Sequence, residues 1–248
     1  MLKAAIFDLG GTLIHLDATW ERIREARMNA IDETIKAHGA ALDLDHLKRE
    51  YLRQHEEESE YATRTLEEIE IQQSFNNLFD RLGVEARQRP PNEELVKRFF
   101  AAEMESWMLF DGVVDMLQKV RAMGLKMGLL SNARNDWAVR EIMNQLDLTK
   151  FFDGILTSAA IGIRKPRPEP FRRILELLGV QASEAVMIGN SMEADVAGAQ
   201  PLGIRTIRVK FDDNVDEMPM NLNVSVEPDI TVSSVSEIVP AIKRIAGL

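Results

Sequence analysis

Polar side chains that could do chemistry follow short apolar runs at several places in the chain. The first run, Ala4–Phe7, ends on the carboxylate of Asp8, and later runs end on the hydroxyl of Ser131 and the amide of Asn190. Such runs are typical of buried parallel strands, and open α/β sheets bind ligands at the carboxyl ends of their strands. We therefore expect these side chains at one sheet edge, although Asp8 alone would fit an ordinary strand and turn equally well.

Together, these groups have the chemistry for transferring a phosphoryl group to water. A carboxylate such as Asp8 can act as a nucleophile and form an aspartyl phosphate. The phosphoryl oxygens carry negative charge that fixed donors and cations stabilise. Ser131, Lys165 and the backbone amides after Asp8 can supply them. Because Mg²⁺ takes hard oxygen ligands, Asp8 and the segment 190–195 can hold that ion.

The elements that position these groups fall into two parts of the chain with different predicted secondary structure. Between about residues 18 and 105 only helical spacing is found, for example at Ile71, Phe75 and Leu78, and the charged run 53–60 predicts a solvated helix face. After Asp111, helix and strand patterns alternate, which predicts a parallel sheet flanked by helices. The predicted strands are 126–131, 154–158, 185–189, 206–209 and 229–232, with a short helix at 194–200.

These patterns predict an α/β fold with a Rossmann-like parallel sheet and an inserted all-helical domain. The core is predicted to comprise residues 1–17 plus 106–248, and the helical domain residues 18–105. Because the insertion follows the first strand, it would lie over the carboxyl edge and over Asp8, which is the position of a lid. A polar stretch at 211–228 predicts a loop.

The amino-acid composition argues against several classes of function. The chain of 248 residues has 40 acids and 30 bases, a net charge of −10, which argues against nucleic acid or an anionic membrane as partner. It has no cysteine, so thiolate catalysis and disulfides are excluded. Its four histidines show no zinc-ligand spacing, and no apolar run approaches the length of a membrane span. We expect a cytoplasmic protein that acts on a small molecule, as a monomer or a homodimer.

Four motifs in order resemble those of the haloacid dehalogenase superfamily, in its phosphatase-like branch with an inserted helical cap. They are Asp8-Leu9-Gly10-Gly11-Thr12-Leu13, Leu130-Ser131-Asn132, Arg164-Lys165-Pro166, and Gly189-Asn190-Ser191 followed by Asp195. The resemblance covers nearly the whole chain. It implies Asp8 as the nucleophile and Ser131 and Lys165 as anchors of phosphate and nucleophile, with the 18–105 insertion as cap.

The same resemblance implies further ligands. Gly11 and Asn132 would join Ser131 and Lys165 in binding the substrate. The metal ligands would be Asp8, the backbone carbonyl of Gly10, Asn190 and Asp195, and the metal would be Mg²⁺.

Two positions depart from the family pattern. Gly10 stands where the phosphatases of the family carry a second Asp, the general acid/base, whose contribution is typically about 10²- to 10⁴-fold. Glycine keeps the backbone carbonyl but cannot move a proton. Asn190 stands where a metal-binding Asp is usual, so we expect weaker Mg²⁺ binding, which Asp195 could partly restore.

Three functions therefore remain open. The first is a Mg²⁺-dependent phosphatase of a small phosphorylated metabolite. The second is a 2-haloacid dehalogenase-like hydrolase, a branch that lacks the second Asp and uses no metal, although it tends to have Tyr where Gly10 stands. The third is a catalytically impaired domain that binds a phosphometabolite or a partner protein.

Overall fold

A parallel sheet of six strands organises the part of the chain that carries the candidate site. The computed structural model describes residues 1–211 and 226–248, so most of the predicted loop 211–228 lies outside the described residues. The strands of this sheet are β1 Ala4–Phe7, β4 Lys126–Ser131, β5 Gly154–Thr157, β6 Ala185–Gly189, β7 Arg205–Val209 and β8 Ile230–Val232. The α/β class predicted from the sequence is confirmed.

The strand order is β5-β4-β1-β6-β7-β8, and each neighbouring pair is parallel. The chain builds outward from β1 on one side and then on the other, so the order reverses at β1. A crevice at the carboxyl edge forms at such a reversal. In the sheet register Phe7 lies beside Leu129 of β4 and Ile188 of β6. The residues that follow β1, β4 and β6 therefore meet at one edge.

Helices cover the sheet, and its central strand is inaccessible to solvent along its whole length. Apolar side chains on both faces explain why β1 reads as a continuous apolar run rather than an alternating one. The helices of this part are α5 Val113–Ala122, α6 Asp136–Gln145, α7 Ser158–Ile161, α8 Pro168–Leu178, α9 Ala197–Ala199 and α10 Val235–Ala246. Helix α8 packs closely against Gly128 of β4, where an added methyl group would lie 2.9 Å from Leu178 Cδ1.

The segment Leu16–Trp107 is a second compact unit, and the first comprises Met1–His15 and Met108–Leu248. The helices of this second unit are α1 Trp20–Ala37, α2 Leu44–Thr65, α3 Ile71–Arg81 and α4 Asn92–Ser106. Two three-residue strands, β2 Ile14–Leu16 and β3 Trp107–Leu109, pair in a small separate sheet that the sequence patterns did not predict.

The charged run 53–60 is not solvated throughout, which corrects the prediction of an exposed helix face. Gln54 and Glu58 are buried where α2 contacts α3. Gln54 donates to Glu58 at 2.8 Å, and the Ser74 hydroxyl of α3 donates to the other Glu58 oxygen at 2.8 Å. These hydrogen bonds compensate the desolvation of the carboxylate. None of the helices in the described part of the chain is long and apolar enough to span a membrane.

Candidate active site

The buried ammonium of Lys165 lies at the centre of the candidate site. Its Nζ donates to Asp8 Oδ1 at 2.8 Å, to the Leu130 carbonyl at 2.8 Å and to Asp195 Oδ1 at 2.6 Å. Only 2% of the lysine is exposed. An ammonium has three donors, so all of them are used within the protein. The structure thus brings three sequence-predicted site residues, Asp8, Lys165 and Asp195, into one cluster.

The charges of this cluster shift the ionisation of its members. Burial disfavours the Lys165 ammonium, but the charges of Asp195 and Asp8 outweigh burial and raise the pKa of Lys165. Burial raises the pKa of Asp195 to about 6, against the opposing effect of Lys165 and with a further increase from Asp8. Lys165 therefore stays charged at neutral pH, since two carboxylates share one cation.

The two oxygens of Asp8 have different surroundings. Oδ1 is held by Lys165, whereas Oδ2 accepts, among the described residues, only a long hydrogen bond of 3.4 Å from the Thr12 hydroxyl. Asp8 follows β1 directly, and its backbone N–H donates to the Ile188 carbonyl of β6 at 2.9 Å. One oxygen is thus fixed by a cation and the other is only loosely bound, which is a suitable arrangement for a nucleophile.

Asp195 reaches Lys165 from a π-helical turn, Met192–Val196, rather than from the regular helix predicted at 194–200. Its second oxygen, Oδ2, accepts from the Ser191 N–H at 3.0 Å. The carboxylate packs directly on Gly189, the last residue of β6. Wide π turns inside helices are rare and often occur at functional sites. Here the turn and the glycine together let the carboxylate point back to the strand end.

We expect Gly189→Ala to displace the Asp195 carboxylate, because the added methyl group would overlap it. The free energy of unfolding, measured by urea denaturation, should fall by about 1–3 kcal/mol, as for other overpacked sites. Gly154→Ala is the matched control in another strand, since its methyl group would make ordinary contacts at 3.5 Å. Equal stability of the two variants would show that Asp195 can be accommodated elsewhere.

The predicted substrate ligands fall into two groups. Ser131 lies at the end of β4, and within residues 1–211 and 226–248 its hydroxyl has no hydrogen-bond partner, so it is available to a ligand. The side chain of Asn132 is different, because both of its polar atoms contact the backbone of Lys165. The Gly11 N–H is also engaged, since it donates to the Ile14 carbonyl at 2.8 Å. In this structure the groups of Gly11 and Asn132 that were predicted to bind substrate therefore make hydrogen bonds within the protein.

Oxygen donors beside Asp8 fit a magnesium ion with few charged ligands. The Thr12 hydroxyl is 3.4 Å from Asp8 Oδ2 and 3.5 Å from Asn190 Oδ1, so these two oxygens converge. The carbonyl of Gly10 belongs to the same loop. Asp195, predicted as a ligand, has both oxygens engaged within the protein. No group of three acidic or histidine side chains suited to a metal occurs among the described residues.

Two residues at this edge were not predicted from the sequence. Thr12 is fully buried and is the one hydroxyl between Asp8 and Asn190 in the described part of the chain. Arg208 lies beside Gly189 in the sheet register, and its Nε donates to the Asn190 carbonyl at 3.3 Å. The available signal for Arg208 was that it is the charged residue of the predicted strand 206–209.

Comparison with known proteins places this chain among hydrolases. A family model for haloacid dehalogenase-like hydrolases matches residues 2–203. The chain is 28% identical to a glyceraldehyde 3-phosphate phosphatase of Methanopyrus kandleri, over 99% of both proteins. It is 30% identical to the haloacid dehalogenase-like hydrolase domain-containing protein 3 of Bos taurus, over 71% of this chain and 67% of that protein.

Solved structures show the same fold. A phosphatase from Thermococcus onnurineus superposes with a TM-score of 0.64 and 20% identity, covering 97% of this chain and 98% of that one. A 2-haloacid dehalogenase from Pseudomonas syringae gives a TM-score of 0.68 and 22% identity, covering 98% of this chain and 99% of that one. The arrangement of sheet and helices is thus shared by enzymes that cleave different bonds.

Proposed function

We propose that this chain, which belongs to the haloacid dehalogenase-like hydrolase family, is a phosphatase that transfers the phosphoryl group of a small metabolite to Asp8 and then to water. The observation that carries the proposal is the unequal environment of the two Asp8 oxygens. Lys165 fixes Oδ1 at 2.8 Å, while Oδ2 is left to attack.

In the first step, Asp8 Oδ2 would form a bond to phosphorus as the bond from phosphorus to the ester oxygen breaks. The leaving oxygen takes its proton from water, because Gly10 offers no acid. In the second step, water attacks phosphorus, which releases inorganic phosphate and regenerates the carboxylate. The Ser131 hydroxyl would donate to a phosphoryl oxygen, and the Lys165 ammonium would hold the carboxylate in the attacking orientation.

Magnesium would be held by Asp8, the Gly10 carbonyl and Asn190, and it would neutralise charge on the phosphoryl oxygens when bound. We assign Asp195 to the ammonium of Lys165 instead of to the metal. Because Asn190 brings no charge, binding should be weak. Because Gly10 moves no proton, substrates with good leaving groups should be favoured.

Two relatives suggest the first substrates to test. Proteins named glyceraldehyde 3-phosphate phosphatase match this chain from Methanopyrus kandleri and from Pyrococcus abyssi, the latter at 27% identity. We propose a phosphorylated metabolite of that size, such as a triose phosphate. We also propose that the helical unit, inserted after the strand that carries Asp8, is a cap that selects the substrate, and that the enzyme acts in the cytoplasm.

We expect phosphate release to depend on Mg²⁺ and Asn190→Asp to lower the half-saturating Mg²⁺ concentration about tenfold, because the new ligand is charged. Phosphate release from p-nitrophenyl phosphate at varied Mg²⁺, together with calorimetric titration of Mg²⁺, measures this. Asn144→Asp is the matched control, since that residue bonds Thr149 away from the site.

A different outcome would favour the dehalogenase. Gly10 and Asn190 both depart from the phosphatase pattern in that direction. Halide release from a 2-chloro acid that EDTA does not inhibit, with no Mg²⁺-stimulated phosphate release, would replace the phosphatase proposal with that activity.

A further inference from the structure

The side-chain amide of Asn132 and the backbone of Lys165 form a reciprocal pair of hydrogen bonds. Asn132 Nδ2 donates to the Lys165 carbonyl at 3.0 Å, and the Lys165 N–H donates to Asn132 Oδ1 at 2.8 Å. The planar amide of Asn132 thus bonds both the N–H and the carbonyl of the same residue, Lys165. Asn132 follows β4, so the pair ties the loop of Lys165 to the carboxyl end of a central strand.

This pair complements the contacts of the Lys165 ammonium. Nζ is fixed by Asp8, Leu130 and Asp195, but a lysine side chain is long and flexible. A flexible side chain can reach Asp8 from several backbone positions, so a single approach of Nζ to Oδ1 requires the backbone of Lys165 to be held relative to β4. The amide of Asn132 supplies that restraint, with one N–H and the carbonyl oxygen both bonded to the Lys165 backbone.

We propose that Asn132 is a positioning residue, which holds the backbone of Lys165 so that its ammonium fixes Asp8 Oδ1 for attack. This assignment rests on the proposed function, because it takes Asp8 as the nucleophile. It differs from a substrate contact, since the hydrogen bonds that the Asn132 side chain makes are with the backbone of Lys165. Displacement of a reacting group by about 1 Å can reduce the rate by about 10²-fold.

The test compares Asn132→Ala and Asn132→Asp with the wild type in two measurements. The first is amide hydrogen exchange of the Lys165 N–H, which reports the pair without any need for activity. The second is the separate determination of kcat and KM for p-nitrophenyl phosphate. Asn135→Ala is the control from the same loop, since the Asn135 side chain accepts from the Ala138 N–H and caps α6.

We expect Asn132→Ala to speed exchange of the Lys165 amide at least about tenfold, and to lower kcat about 10- to 100-fold with KM little changed. Asn132→Asp keeps the acceptor for that N–H, so it should keep most of the exchange protection and lose less of kcat. Asn135→Ala should lower the melting temperature and leave the Lys165 amide protected.

Two results would overturn the assignment. One is unchanged Lys165 exchange in a folded Asn132→Ala variant, and the other is a raised KM with kcat intact, which would make Asn132 a substrate contact. If the wild type releases no phosphate but exchange follows the expectation, the proposed phosphatase function fails while the role of Asn132 in holding Lys165 is supported.

Discussion

Replacing Asp8 by Asn is expected to reduce phosphate release by at least about 10³-fold, because the amide cannot form the aspartyl phosphate. The change keeps the shape of a side chain that is 8% exposed and can still accept from Lys165 through its oxygen. The loss should therefore appear in kcat, while the fold is preserved. Phosphate release from p-nitrophenyl phosphate, with and without Mg²⁺, measures it.

A second measurement separates chemistry from folding in this variant. Mass spectrometry of acid-quenched wild type, mixed with a phosphorylated substrate, should detect a phosphate adduct on Asp8 that the Asp8→Asn variant lacks. Asp17→Asn is a suitable control, because that acid is not among the cluster residues around Lys165. Equal rates for wild type and Asp8→Asn would refute Asp8 as nucleophile.

Replacing Lys165 by Met is expected to lower the free energy of unfolding by about 3–5 kcal/mol, the usual cost of leaving buried charges without their partner. Asp8 and Asp195 would then face each other in a site where Asp195 is 1% exposed. Activity should be lost together with stability, because nothing would hold Asp8 Oδ1. Urea denaturation at pH 7 measures the change.

Adding Asp195→Asn to Lys165→Met should recover part of that stability, since one unpaired charge is removed. A double-mutant cycle over the two positions gives their coupling. Lys150→Met is the control, because Lys150 pairs with Asp147 at the surface, where such pairs contribute little. An unchanged unfolding midpoint for Lys165→Met would contradict the view that the ammonium balances this cluster.

Local sequence pattern was sufficient for the elements that bring the site together. The strands at 126–131 and 185–189 coincide with β4 and β6, because each is an apolar run bounded by polar or glycine residues. Their parallel pairing with β1 follows from the alternation of helices and strands. The sequence was therefore sufficient to predict that Asp8, Lys165 and Asp195 lie at the same edge of the sheet.

The particular contacts were not predictable, because each depends on a partner distant in sequence. Asp195 lies in a π turn, bonds Lys165 and packs on Gly189, and neither partner affects the helical periodicity of the segment around Asp195. Asn132 also depends on a distant partner, because its amide bonds the backbone of Lys165, and the local sequence around Asn132 does not indicate this contact. The burial of Glu58 likewise depends on Ser74, which lies on a different helix and donates to the Glu58 carboxylate.

The central position of β1 also determines when this protein can become an enzyme during its own synthesis. β1 precedes the other five strands of this sheet in sequence, but its neighbours are β4 and β6, and the latter ends only at Gly189. The helical unit between β1 and β4 is contiguous in sequence, so its contacts are available much earlier. Pairings between distant segments form slowly. The nascent chain therefore carries Asp8 long before Lys165 and Asp195, which complete the environment of that carboxylate, have been made.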